Sequence, residues 1–225
     1  MTVSDSPNSS NSNGLERGGQ RAKGRAHAKR RLDYELIQGL VPSGSRVLDL
    51  GCGDGQLLAE LKARKGCGIR GIEINSQAVL ACVARGVPVY HGDMLEGMGY
   101  YRDAVFDVVV LSQTLQQTAD PIRVIDEMLR VGNTAIISFP NFGYWRVRLQ
   151  LLLRGRMPVT GMLPYMWYDT PNVHLCTVAD FRLLCAEQRL ERLHEVFVIP
   201  PSRLIGPAGA NWRAGLAIFQ VRRQR

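Results

Sequence analysis

Acids and glycines recur in this sequence at intervals suited to gripping a small ligand with positive and hydroxyl groups. Asp49 precedes Gly51, Gly53 and Gly55 in "LDLGCGDG", and Asp54 lies inside the run. Glu73 closes "GIE", Asp93 and Met94 follow "HG", and Ser112 and Gln113 end "FDVVVLSQ". Glycine serves where backbone turns sharply or where a ligand must reach the main chain without meeting a Cβ. Carboxylates accept hydrogen bonds from hydroxyls and amines and attract cations.

Three ligand chemistries compete for such a loop. A nucleotide triphosphate loop needs Gly-Lys-Ser/Thr, and this loop has no lysine. A dinucleotide loop needs G-x-G-x-x-G/A, but Gln56 holds the third slot and Gly55 falls one position early. S-adenosylmethionine carries a sulfonium and an amino group, so its pocket calls for acids, as supplied by Asp49 and Asp54. Glu73 suits both ribose hydroxyls. Asp93 suits the adenine amine, with Met94 packed on the ring.

The elements that would hold these residues alternate. "SRVLDLG", "CGIRGIEI", "VPVYHGD", "FDVVVLSQ" and "NTAIISFP" have the short apolar character of strands. The intervening "QLLAELKAR", "SQAVLACVARG" and "DPIRVIDEMLRVG" are helical, the last capped by Asp120 with Pro121 in its first turn and Gly132 at its end. A further helix, "RLDYELIQGLV", precedes the first strand. This pattern predicts a doubly wound, Rossmann-like α/β sheet, mostly parallel, with ligands beyond the carboxyl ends of its strands. After Pro140 the alternation breaks. An insertion at about 142–176 precedes the helix "TVADFRLLCAEQRL", and "RLHEVFVI" with "LAIFQVRR" predicts a closing antiparallel hairpin.

Taken together, "VLDLGCGDG", "GIEI", "GDM" and "FDVVVLS" resemble the class I S-adenosylmethionine-dependent methyltransferases over roughly residues 44–140. That resemblance implies S-adenosylmethionine, or its product S-adenosylhomocysteine, as ligand. It does not supply a reaction. Many small-molecule methyltransferases carry His after the fourth strand; here stand Gln113, Gln116 and Gln117, which hydrogen-bond but do not take up a proton. "FPNF" keeps Pro140 and Asn141 without being the Asn/Asp-Pro-Pro-aromatic signature of amino-group methyltransferases. His174 and Tyr168, in "PYMWYDTPNVHLC", are the catalytic candidates, His91 is a strand-end histidine, and no nucleophile–base pair is recognisable. In the same stretch Trp167 and Tyr168 are residue types that anchor interfaces, and Asp169 and Asn172 flank a Thr-Pro turn.

A narrower resemblance rests on "LDLGCGDGQLL", "VVVLSQTLQQT", "FPNFGYWRVRLQLLLRGRMPVT" and "LPYMWYDTPNVHLCTVADF". Across about residues 31–200 these are similar to the MetW family of methionine biosynthesis proteins. The resemblance implies a small bacterial methyltransferase-like protein acting as accessory partner of homoserine O-acyltransferase. The alternative is a methyltransferase for a small metabolite.

Composition bounds the rest. Residues 1–31 hold seven Lys/Arg and two acids, five of the eight net positive charges, in a Ser/Asn/Gly-rich segment with almost no large apolar residues. Residues 1–30 are therefore expected to be a disordered basic tail, and 31–225 a single methyltransferase-like domain. The tail interleaves no aromatics for base stacking, which argues against nucleic acid. Cys52, Cys67, Cys82, Cys176 and Cys185 show no C-x-x-C spacing, so neither a disulfide framework nor a metal site is expected. No apolar run approaches the ~20 residues that span a bilayer, and no secretory layout opens the chain, so a cytoplasmic location is expected.

Overall fold

A computed structural model describes residues 33–224, and the expected basic tail lies outside the described residues. Strand and helix alternate as the sequence predicts. Helix α1 (33–40) leads into β1 (Arg46–Leu50), α2 (Gln56–Lys65), β2 (Gly68–Glu73), α3 (Ser76–Ala84) and β3 (Val89–His91). Then follow α4 (Met94–Gly99), β4 (Phe106–Ser112), a 3₁₀ turn (Leu115–Gln117), α5 (Pro121–Val131) and β5 (Gly132–Pro140). The Asp120 carboxylate caps α5 by accepting the Arg123 N–H at 3.0 Å, which satisfies one of the free donors at the helix start.

The sheet buries both faces because its central strands carry apolar side chains on both sides, as in the Val108–Leu111 run of β4. Val108 and Val110 of β4 pack on one side with Ile37 of α1, Val41 just past its end, and Leu57, Leu58 and Leu61 of α2. Val109 and Leu111 point the other way, toward Val124, Ile125 and Met128 of α5 and Met98 of α4. A face-to-face change of one residue in register would exchange the two cores.

The strand order is β3-β2-β1-β4-β5-β8-β6-β7. The pairings from β3 through β5 are parallel, and those of β6 (Leu190–Ile199), β7 (Arg203–Ile205) and β8 (Leu216–Arg223) are antiparallel. The chain order reverses between β1 and β4, and there the helices above the sheet diverge and leave a crevice. The C-terminal hairpin is present but less simple than its sequence suggests. β8 inserts between β5 and β6, while the Pro/Gly-rich connection carries β7 and a short helix, α8 (Ala210–Arg213). Phe219 of β8 gathers Phe139, Phe181 and Phe197 around itself at ring separations of 4.7–5.8 Å, which buries the new strand's inner face.

The insertion opens with α6 (Trp145–Arg154) and continues without regular structure to α7 (Val178–Glu187). Thr177 and Asp180 start α7 with a reciprocal capping box. Asn141 pins the root of the insertion: its amide donates to the Asn211 and Ala214 carbonyls, and its oxygen accepts from Gly143 and Val178 N–H. Among the described residues no helix is long and apolar enough to cross a membrane.

Candidate functional site

A cleft of about 1720 Å³ opens at the switch point, over the carboxyl ends of β1, β2 and β4. Asp49, Gly51, Gly53, Glu73, Asp93, Met94, Ser112 and Gln113 all line it. Gly55 does not. It stands at the start of α2, where an added Cβ would meet Cys82 Sγ at 3.0 Å and Val87 Cγ2 at 3.2 Å. Packing against Cys82 and Val87 is by itself enough to require glycine there.

Gly51 is the glycine whose backbone faces the cleft under constraint. Its φ is +66°, and a Cβ there would lie 3.1 Å from Thr114 Oγ1. Gly86 shares the left-handed backbone at φ +69° but has open space around it. Gly86→Ala is thus expected to cost about 1 kcal/mol, from backbone alone, and Gly51→Ala about 2 kcal/mol. Paired thermal melts of the two variants check the difference.

Glu73 organises the loop. It is buried at the end of β2. One carboxylate oxygen accepts the Gly53 N–H at 2.8 Å and the other the Asn75 N–H at 2.8 Å. Each oxygen keeps a second lone pair for the cleft, a spacing suited to a vicinal diol. Asp93 does two jobs: its Oδ1 caps α4 by accepting from Leu95 and Glu96 N–H, and no donor among the described residues reaches its Oδ2. Asp54 is committed to Arg85 at 3.0 Å while still lining the cleft.

Asp49 stands at the carboxyl end of β1 and lines the cleft. It is buried, and no described donor reaches its carboxylate. Burial, then the neighbouring Glu73 and Asp33 charges, push its pKa up to about 8. A carboxyl held protonated by desolvation and like charge is a site that a cation would relieve. The set therefore fits S-adenosylmethionine on chemistry: glycine backbone for close approach, Glu73 for the diol, Asp49 for positive charge.

Sequence reading missed Asp33 and Ser138. Asp33 Oδ2, buried at the start of α1, accepts from Ser112 Oγ at 2.8 Å, Gln113 Nε2 at 2.8 Å and Ser138 Oγ at 3.1 Å. Burial raises its pKa, against the pull of those three donors. It ties α1 to the ends of β4 and β5 and holds Gln113 at φ +51°, a left-handed backbone unusual outside glycine. The signal was available, because Asp33 shares a helical face with buried Ile37, four residues on.

His174 and Tyr168 do not line the cleft. His174 is exposed and donates its N–H to the Gln116 carbonyl at 3.0 Å, beside Val173 N–H at 2.8 Å. Tyr168 is exposed against Trp167. His91 also lies outside, its ring nitrogen 3.2 Å from the Ile74 carbonyl. From the insertion, Val159, Thr160, Tyr165 and Asn172 reach the cleft instead, opposite Gln116, Gln117 and Arg123. The Gln116 amide nitrogen donates to the Gln113 carbonyl at 2.7 Å, and its buried oxygen has no partner among the described residues.

A 3-2-1-4-5 parallel half closed by antiparallel strands, with this cleft at its switch point, defines the class I methyltransferase fold. An S-adenosylmethionine-dependent methyltransferase of Thermotoga maritima, described as a possible histamine N-methyltransferase, superposes with a TM-score of 0.65 at 16% identity, over 94% of this chain and 95% of that one. Within that class the sequence is more specific. Residues 31–221 match methionine biosynthesis protein MetW, and the chain belongs to the MetW family. It is 39% identical over 204 residues to a bifunctional methionine biosynthesis protein MetXA/MetW of Rhodopirellula baltica, covering 86% of this chain and 33% of that relative. The chain thus spans about a third of that relative's length. A ubiquinone biosynthesis O-methyltransferase of Paracidovorax citrulli is 32% identical, over 70% of this chain and 68% of its own.

Proposed function

We propose that this protein binds S-adenosylmethionine or S-adenosylhomocysteine and serves methionine biosynthesis as an accessory, regulatory partner of homoserine O-acyltransferase. The carrying observation is an acid-and-glycine cleft that neither catalytic candidate lines. Asp49, Gly51, Gly53, Glu73, Asp93, Met94, Ser112 and Gln113 converge, whereas His174 and Tyr168 stay out of the cleft. When bound, S-adenosylmethionine supplies an electrophilic methyl group. Gln113, Gln116 and Gln117 of the cleft wall are amides, which position a ligand without taking its proton. The MetXA/MetW relative supports the partner, since it joins a MetW-like part to a longer segment bearing a second name. A ligand tunes a partner only by binding its free and docked states with different affinity.

The second reading is a methyltransferase for a small metabolite. It is favoured by the cleft's volume of about 1720 Å³, more than the ~1,000 Å³ upper range of ordinary ligand sites. Methyl transfer to a strong nucleophile needs mainly proximity and alignment, so a missing base does not forbid it. Incubation with methyl-labelled S-adenosylmethionine and cell extract separates the two. The accessory reading expects ligand binding without labelled product, and acyltransferase recovered with the tagged chain. Steady labelled product with no recovered acyltransferase would replace it with the second reading.

A further inference from the structure

Twelve of the twenty exposed large hydrophobic side chains among the described residues fall between Leu149 and Leu175. Leu152 is 80% exposed, Leu153 72%, Trp167 72% and Tyr168 68%. Single exposed apolar residues are ordinary, but a concentration on one connection marks a contact surface. On α6, Leu149, Leu152 and Leu153 share one face, at i, i+3 and i+4. The opposite side is seated: Val147 packs with Tyr144 and Leu163 in a small core of its own. The helix is thus anchored by one face and leaves its leucine face outward.

The loop beyond is shaped before any partner arrives. Phe142 N–H donates to the Cys176 carbonyl, Val173 and His174 N–H to the Gln116 carbonyl, and Asn172 N–H to Thr170 Oγ1. Trp167 and Tyr168 stand edge to face at 5.8 Å. A surface held in advance loses less entropy on docking, and Trp, Tyr and Arg are the residue types that dominate interfaces. Arg154 and Arg156 border the leucine face, and no described carboxylate pairs with either.

We propose that the leucine face of α6 together with residues 165–175 is the surface on which the acyltransferase seats, through an apolar patch with an acidic rim. This rests on the accessory reading above and assigns its contact surface. The occupant is argued from the MetXA/MetW relative, in which 33% of the chain corresponds to this one and the remainder is joined covalently to it. Fusion supplies a partner at an effective concentration in the ~mM range. Where no such tether exists, affinity must take its place, and a preformed apolar and cationic surface provides it. Val159 and Tyr165 belong to both this connection and the cleft wall, and Gln116 holds the loop while lining the cleft. The seat therefore borders the ligand, and docking and ligand binding are coupled through shared residues.

The test uses full-length protein and homoserine O-acyltransferase from the same organism, in sedimentation and titration experiments. The doubly substituted Leu152→Asp/Leu153→Asp chain is expected to bind the acyltransferase at least ~100-fold more weakly, and Trp167→Ala at least ~10-fold. Both keep the wild-type melting temperature and affinity for S-adenosylhomocysteine, because none of the three residues lines the cleft. Variants that bind the acyltransferase as the wild type does would overturn this surface and leave the accessory reading standing. A wild type that does not bind it at all would overturn both. A wild-type dimer that these substitutions dissociate, or vesicles of anionic lipid that capture only the wild type, would assign the surface to a second copy or to a membrane and overturn the proposal.

Discussion

Glu73→Ala is expected to weaken S-adenosylhomocysteine binding by at least ~100-fold and to lower stability by about 2–3 kcal/mol. Two losses combine. The ligand diol loses its acceptor, and the Gly53 and Asn75 N–H groups, each bonded to Glu73 at 2.8 Å, lose theirs. Gly53 belongs to the loop after β1, and Asn75 caps α3 by accepting from Gln77 and Ala78 N–H, so both walls of the cleft loosen together. Glu73→Gln separates charge from geometry. It keeps the shape but turns one oxygen into an N–H₂ facing a backbone N–H, so one of the two bonds becomes a donor–donor clash. The Gln variant is therefore expected to fold with an intermediate melting temperature and to bind ligand poorly. Calorimetric titration and thermal melts check each part.

The second large effect belongs to Asp49 and is read as a pH dependence. Burial and the Glu73 and Asp33 charges hold its carboxyl at about 8 in the folded protein, against an ordinary value of 3.8. Between those values the unfolded chain has released the proton and the folded protein has not. Stability contributed by this group therefore falls as pH rises from about 4 to about 8 and is level above that. Asp49→Asn removes this dependence, and its gain in stability over the wild type grows up to about pH 8. Binding of a cationic ligand runs the other way. It favours the carboxylate, so at neutral pH binding expels a proton, and affinity weakens by up to about tenfold per unit as pH drops below about 8. Titration in buffers of different ionisation enthalpy measures the released proton directly. Asp49→Asn is expected to bind weakly at every pH and to release none.

How far the sequence carried these conclusions follows from the reach of each signal. Strand-end acids were legible because the alternation of apolar strands and helices sets where each loop opens. Asp49, Glu73 and Asp93 then follow from counting. Gly55 carries a second demand that sequence does not show: a glycine required by helix packing looks like one required by a ligand, and only the neighbouring Cys82 and Val87 reveal the packing. For Asp33 the shared face with Ile37 signals burial only; its partners Ser112, Gln113 and Ser138 lie about eighty or more residues away, beyond any local pattern. Helix α4 escaped for a local reason: at six residues with two glycines it shows no period, and it forms because Asp93 caps it. The leucine run of α6 gives no clear amphipathic reading, since its exposed face is as apolar as its buried one. That failure of the pattern is what marks the face as a contact surface.

A methyltransferase-fold protein that tunes the acyltransferase, as proposed, must do so in response to ligand. The direct test is the rate of homoserine acylation by the acyltransferase, measured with increasing amounts of this protein and with or without saturating S-adenosylmethionine or S-adenosylhomocysteine. The protein is expected to change the rate, the two ligands to shift its half-maximal concentration, and Glu73→Ala to remove the ligand's effect while leaving the protein's own. A rate indifferent to the protein, or a change identical with and without either ligand at saturation, would contradict the proposal.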